Sequence, residues 1–126
     1  MSHEQAFIFD PDHYPLLAIE SVPNGAVISI LVTELKDQLV LEDVEKQIIH
    51  FVKSHVPRRL VIDFKSVKFM SSMMLRSLIR IRDWVVGNNG QLKLANLHPH
   101  LREVFRITEL ENRLFFLYDS IEDALR

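Results

Sequence analysis

The chain of 126 residues contains no cysteine. That absence excludes a disulfide framework, thiolate metal sites and cysteine nucleophiles together. Glycine is nearly as scarce, at 3 residues, so backbone cradles for nucleotide phosphates are hard to build. No Gly-rich phosphate loop, HExxH pair or GxSxG elbow is present. An excess of one charge is also missing: 15 Lys+Arg stand against 17 Asp+Glu, a formal net charge of −2. Such a balance gives no general electrostatic reason to hold nucleic acid or an acidic membrane. The cations from Arg58 to Arg82 are offset by acids elsewhere and read as solvated faces. The longest uncharged run, residues 21–33, is broken by Pro23, Asn24 and Gly25 and is too short to span a bilayer. The opening MSHEQAFIFDPD lacks a basic region ahead of an apolar stretch. No secretory signal is therefore expected, and the expected address is the cytoplasm. What is there is 48% hydrophobic and 25% charged, the composition of an ordinary globular domain. A chain of this length forms one domain that buries roughly two-thirds of its unfolded surface.

Residues 1–15 carry Pro11 and Pro15 with little periodicity, and the expectation is an N-terminal arm followed by a domain over 16–126. Two β-branched runs, 16–22 and 26–32, flank Pro23-Asn24-Gly25, which reads as a hairpin turn. The period then changes. Leu41, Val44, Ile48, Phe51 and Val52 recur at three and four residues and predict an amphipathic helix. Residues 60–64 are short and apolar, as in a strand buried on both faces. Met74, Leu75, Leu78, Ile81 and Val85 mark a second helix, stopped by Gly87-Asn88-Asn89-Gly90. A strand over 91–96 follows, then a helix opened by His98-Pro99 with Leu101, Val104 and Phe105 inward. A strand over 114–118 and a short helix capped by Asp119 or Ser120 close the chain. The order β-β-α-β-α-β-α-β-α predicts a single α/β domain: a mixed, mostly parallel sheet with an N-terminal hairpin and about four helices.

Candidate chemistry is sparse. His98 and His100 flank Pro99, but no third ligand lies nearby in sequence, and they read as a solvated helix start. Glu42, Glu45, Glu103 and Glu109 fit exposed helix faces better than a general acid/base pair, so no catalytic residue is assigned. The informative stretch is Val67-Lys68-Phe69-Met70-Ser71-Ser72-Met73-Met74-Leu75. It leads from a buried strand into the first turn of a helix, where open α/β sheets meet ligands and partners. A serine there caps the helix by accepting from its free N–H groups. If phosphorylated, it places a dianion at the positive end of the helix dipole, with Arg76 nearby to pair with it. Met73 and Met74 lie about 100° apart on a helix, so one of them is expected at the rim, where methionine is an adaptable contact residue.

At this stretch the chain resembles the STAS domain family, shared by bacterial anti-sigma factor antagonists and the cytoplasmic tails of sulfate transporters. The resemblance covers about residues 16–125. It rests on the 60–64 strand, the Val67-x-Phe69-Met70 approach, the serine turn, the Gly90–Asn96 segment GQLKLAN, and the ending Phe115…Tyr118-Asp119-Ser120-Ile121-Glu122-Asp123-Ala124-Leu125. Family members commonly read Asp-Ser-Ser-Gly-Leu at the turn, with the serine after the Asp phosphorylated. On this chain that serine is Ser72, with Ser71 in place of the Asp, Met73 of the second Ser, Met74 of the Gly, and Leu75 kept. The family's Gly-x-Leu-Asp surface segment corresponds to Thr33-Glu34-Leu35-Lys36, where Lys36 reverses a charge.

The resemblance implies a non-enzymatic anti-sigma factor antagonist with no cofactor. It implies binding to an anti-sigma factor of the histidine-kinase-like ATPase type and release on phosphorylation of Ser72. Leu35, Lys36, Asp37, Ser71, Ser72, Met73 and Arg76 form the expected partner-binding surface. The family also contains constitutive scaffolds of signalling complexes and accessory subunits of membrane-transport ATPases. The apolar Met73 and Met74 lean toward that alternative.

Overall fold

A computed structural model describes residues 11–126. The expected arm, 1–15, therefore lies outside the described residues over 1–10. Strands β1 (Leu17–Val22) and β2 (Gly25–Ile30) form the expected hairpin, with Val22 opposite Gly25, so the turn is Pro23-Asn24. The left-handed position is Asn24 at φ 65°. Gly25 is needed for a different reason. It faces Arg59 across the next strand, and a Cβ on it would lie 1.9 Å from the Arg59 carbonyl oxygen.

Helix α1 (Gln38–His55) buries Leu41, Val44, Ile48, Phe51 and Val52, the stripe that the spacing predicts. Strand β4 (Arg59–Asp63) follows, then helix α2 (Ser72–Gly87), which buries Met74, Leu75, Leu78, Ile81 and Val85 together with Ser77. Strand β6 (Gln91–Ala95), helix α3 (Pro99–Ile107), strand β7 (Phe116–Tyr118) and helix α4 (Ile121–Leu125) complete the main order. Ser120 caps α4 by accepting from the Asp123 N–H at 3.0 Å. The five-stranded sheet runs β1-β2-β4-β6-β7, antiparallel only between β1 and β2. Leu60, Ile62, Leu92 and Leu94 face the core shared with α1 and α2. Val27, Val61 and Ala95 face the other way and pack against Ala124 of α4. Strand β7 starts later than the apolar run suggests because Phe115 turns into the core and stacks edge-on against Phe105.

Two short strands are additions to the expected order. β3 (Glu34–Leu35) and β5 (Phe69–Met70) pair in parallel as a separate two-stranded sheet. Their position is fixed partly by a buried carboxylate. Asp63, at the end of β4, accepts from Ser29 Oγ at 2.9 Å, Asn96 Nδ2 at 2.9 Å and the Lys65 N–H at 3.0 Å. With three donors the buried group is compensated without a cation. The cluster ties the ends of β2, β4 and β6 together and sets the direction in which the chain leaves for β5.

Candidate partner-binding site

The two segments singled out from sequence, 33–37 and 67–76, are joined by the β3–β5 clip. Glu34 lies opposite Phe69 and Leu35 opposite Met70. The Thr33 carbonyl accepts from Lys68 and Phe69, and the Leu35 carbonyl accepts from the Ser71 N–H at 2.9 Å. Each strand feeds directly into a helix, so the N-termini of α1 and α2 are held side by side. A groove of about 160 Å³ runs between them, lined by Gln38, Met73, Arg76 and Arg80 among others.

The seven expected surface residues fall into three kinds of position. Lys36, Asp37, Ser72, Met73 and Arg76 are exposed. Ser71 is half-buried. Leu35 is the correction: at 0% exposure it is a core residue beneath the surface, where its side chain can touch no partner. The expectation rests on the family's Gly-x-Leu-Asp surface segment, of which Leu35 is the retained residue, yet alternation along even a two-residue strand turns it inward. Asp37 proves to be the N-cap of α1, accepting from the Leu39 N–H at 2.9 Å and the Val40 N–H at 3.3 Å. Its carboxylate is thus committed to the helix end. Lys36 pairs with Glu34 at 3.2 Å, both well exposed, which blunts the charge reversal at that position.

The serine turn also differs in detail from a capping serine. Ser71 occupies the N-cap of α2, but its side chain makes no capping bond, and Oγ is buried without a hydrogen-bond partner. Ser72, one residue on, is exposed in the first turn, and its hydroxyl makes no hydrogen bond among the described residues. Arg76 lies one turn further along α2 and has no ion-pair partner among the described residues. The methionines divide as the helical angle requires. Met73 is 46% exposed and Met74 is 0% exposed. Met74, standing where the family usually has Gly, is therefore an anchor for the first turn.

Sequence reasoning missed two members of this surface. Leu39, in the first turn of α1, is 72% exposed, and Phe69 of β5 is 46% exposed. A signal for Leu39 was present, since two residues before Leu41 it lies about 200° around the helix from the start of the buried stripe. Phe69 carried none, because a two-residue strand has no measurable period. Elsewhere, His98 and His100 stack at 5.9 Å, His100 Nε2 lies 2.6 Å from the Lys68 carbonyl oxygen, and His98 Nε2 is buried without a partner. The helix start read as solvated is thus half-buried at His98. Among the described residues no group of three or more His, Asp or Glu is placed to hold a metal, and no helix is long and apolar enough to cross a membrane.

A hairpin-led mixed sheet, with α1 and α2 on one face and a serine turn at the mouth of the second, defines the class. The chain belongs to the STAS domain family, whose model matches residues 24–124. A STAS-domain containing protein of Pseudomonas aeruginosa (strain UCBPP-PA14) is 36% identical over 55 residues, covering 44% of this chain and 54% of that protein. The match thus spans about half the length of the curated relative. Among solved structures, an anti-sigma factor antagonist from Mycobacterium paratuberculosis is similar with a TM-score of 0.74 at 27% identity, covering 86% of this chain and 89% of that one. An anti-sigma-factor antagonist domain protein from Planctomyces limnophilus has a TM-score of 0.74 at 21% identity over 86% and 93% of the two chains. The phosphorylated form of the Bacillus cell fate determinant SpoIIAA has a TM-score of 0.65 at 21% identity over 86% and 96%.

Proposed function

We propose that this chain is a non-enzymatic regulatory protein of the cytoplasm, an anti-sigma factor antagonist. Residues 16–126 form the binding domain and 1–15 its arm. Its partner is an anti-sigma factor of the histidine-kinase-like ATPase type, and phosphorylation of Ser72 switches binding off. The observation that carries this reading is the exposed Ser72, flanked by the exposed apolar Phe69 and Met73. A hydroxyl in that place is open to a kinase, and a dianion formed on it enters an apolar contact that it makes unfavourable. The positive end of α2 and Arg76 offset the new charge within the domain, so the fold survives the modification. The names of the similar solved structures support the same role. The test is incubation with the cognate kinase and ATP, read on a phosphate-affinity gel. A shifted band is expected and Ser72→Ala abolishes it. Ser72→Glu weakens partner binding; unchanged affinity in that variant overturns the switch.

A second reading is favoured by one feature. Of the two methionines that replace Ser and Gly at the turn, Met73 is exposed and makes its surface more apolar, as suits a permanent interface. In that case the chain is a constitutive scaffold or an accessory subunit of a signalling complex or membrane-transport ATPase. A large, stable complex seen by light scattering and insensitive to ATP would select it.

A further inference from the structure

The approach to Ser72 is held from two sides by elements far apart in the chain. On one side the Lys68 and Phe69 N–H groups donate to the Thr33 carbonyl, at 2.7 and 3.2 Å. In a trans peptide the carbonyl points the opposite way from the N–H that follows it. There the Lys68 carbonyl oxygen lies 2.6 Å from Nε2 of His100, a residue of α3 that comes 32 positions later. A carbonyl oxygen only accepts, so Nε2 carries the proton and the imidazole donates. The Lys68–Phe69 peptide unit is thus tied to the start of β3 by its N–H and to α3 by its oxygen.

Helix α3 is firm enough to serve as a support. Leu101 and Phe105 are buried, and Phe105 stands edge-on to Phe115 at 5.6 Å. Arg102 pairs with Glu111 at 2.8 Å and with Asp119 at 3.2 Å. The His98 ring, stacked 5.9 Å from that of His100, restricts where the imidazole can turn. The clip it reaches is slighter, with two residues in each strand. Phe69 is 46% exposed, so its backbone, more than its packing, decides where the ring stands.

We infer that His100 is a positioning residue for the serine surface. Its Nε2–H holds the Lys68–Phe69 peptide and so keeps the Phe69 ring in place beside Ser72. A role for this in recognition rests on the function proposed above, whereas the support that α3 gives the clip does not.

Amide hydrogen exchange of the full chain, with three substitutions at this exposed position, tests the assignment. His100→Ala removes the donor, and the Lys68, Phe69 and Ser71 amides are expected to exchange about fivefold faster, as befits one lost hydrogen bond. The amides of β4 keep their rates. His100→Gln carries a donor as many bonds from the backbone as Nε2 and restores the native rates. His100→Asn, one bond shorter, does not. Unchanged exchange in His100→Ala, or equal rates in the Gln and Asn variants, overturns the inference. The same variants are then titrated with the cognate anti-sigma factor. A loss of affinity of about threefold or more in the Ala and Asn variants, with Gln near native, supports the role in recognition. Faster exchange with undiminished affinity overturns that role, and with it the use of Phe69 as a partner contact, while upholding the support of the clip by His100.

Discussion

Arg80 of α2 closes on Glu45 of α1 through two hydrogen bonds, Nε to Oε2 at 2.6 Å and Nη2 to Oε1 at 2.8 Å. This fork holds the two helices together within the lining of the groove that also carries Met73 and Arg76. The Arg80 hydrogen bonds hold the Glu45 carboxyl below its ordinary value of 4.5, against the opposing effect of burial. Because the folded-state value is the lower one, the stability it contributes is present above the unfolded-state value. It is lost as pH falls through the folded-state value. Arg80 is half exposed, so water screens the pair. Glu45→Gln is expected to cost about 1 kcal/mol at pH 7. The gap between the two proteins should close as pH drops below 4.5, measured by urea unfolding across the acid range.

The two helices that meet at the site begin differently, and their caps should respond differently. Asp37→Ala removes an acceptor for two N–H groups and is expected to cost about 1 kcal/mol. Ser71→Ala removes a buried hydroxyl that has no partner and should be close to neutral. Equal losses for the two substitutions, by denaturant unfolding, would contradict this contrast.

Ser72 separates stability from recognition. It is exposed in the first turn of α2, which holds no acidic residue. Ser72→Glu therefore places a carboxylate at the positive helix end and is expected to stabilise the free domain by about 0.3–1 kcal/mol. The same change lowers affinity for the partner. A rise in the unfolding midpoint together with a weaker complex is the expected pair of results.

Gly25→Ala is the most damaging single methyl available in the hairpin. The new carbon would overlap the Arg59 carbonyl oxygen and force β2 from β4. Loss of more than about 3 kcal/mol is expected. Asn24→Gly, at the neighbouring left-handed position, should be tolerated within about 1 kcal/mol.

The main order of the fold was legible because its signals are repetitive. The stripe from Leu41 to Val52 and that from Met74 to Val85 each recur over several turns, and the structure buries every residue of both. The 60–64 segment announced a strand covered on both faces, and Leu60, Val61 and Ile62 are so covered. Features resting on single contacts were not legible. The roles of Asn24 and Gly25 look interchangeable in sequence and are separated only by the distance to Arg59. The β3–β5 clip depends on two residues per strand and leaves no periodic trace. Leu35 and Phe69, both part of that clip, were accordingly misplaced or missed. Asp37 was placed on the surface correctly, but its capping bonds follow from where α1 starts, a boundary that sequence fixes poorly.

The shortness of that clip has a further consequence for how the molecule can be watched. Few hydrogen bonds hold it, and none lies within the main sheet. Its amides at Lys68, Phe69 and Ser71 should therefore exchange with deuterated solvent by brief local openings, far sooner than those of β4. Anything seated across both helix ends suppresses such openings, and the slowing of exchange at these three amides becomes a built-in occupancy gauge that needs no label.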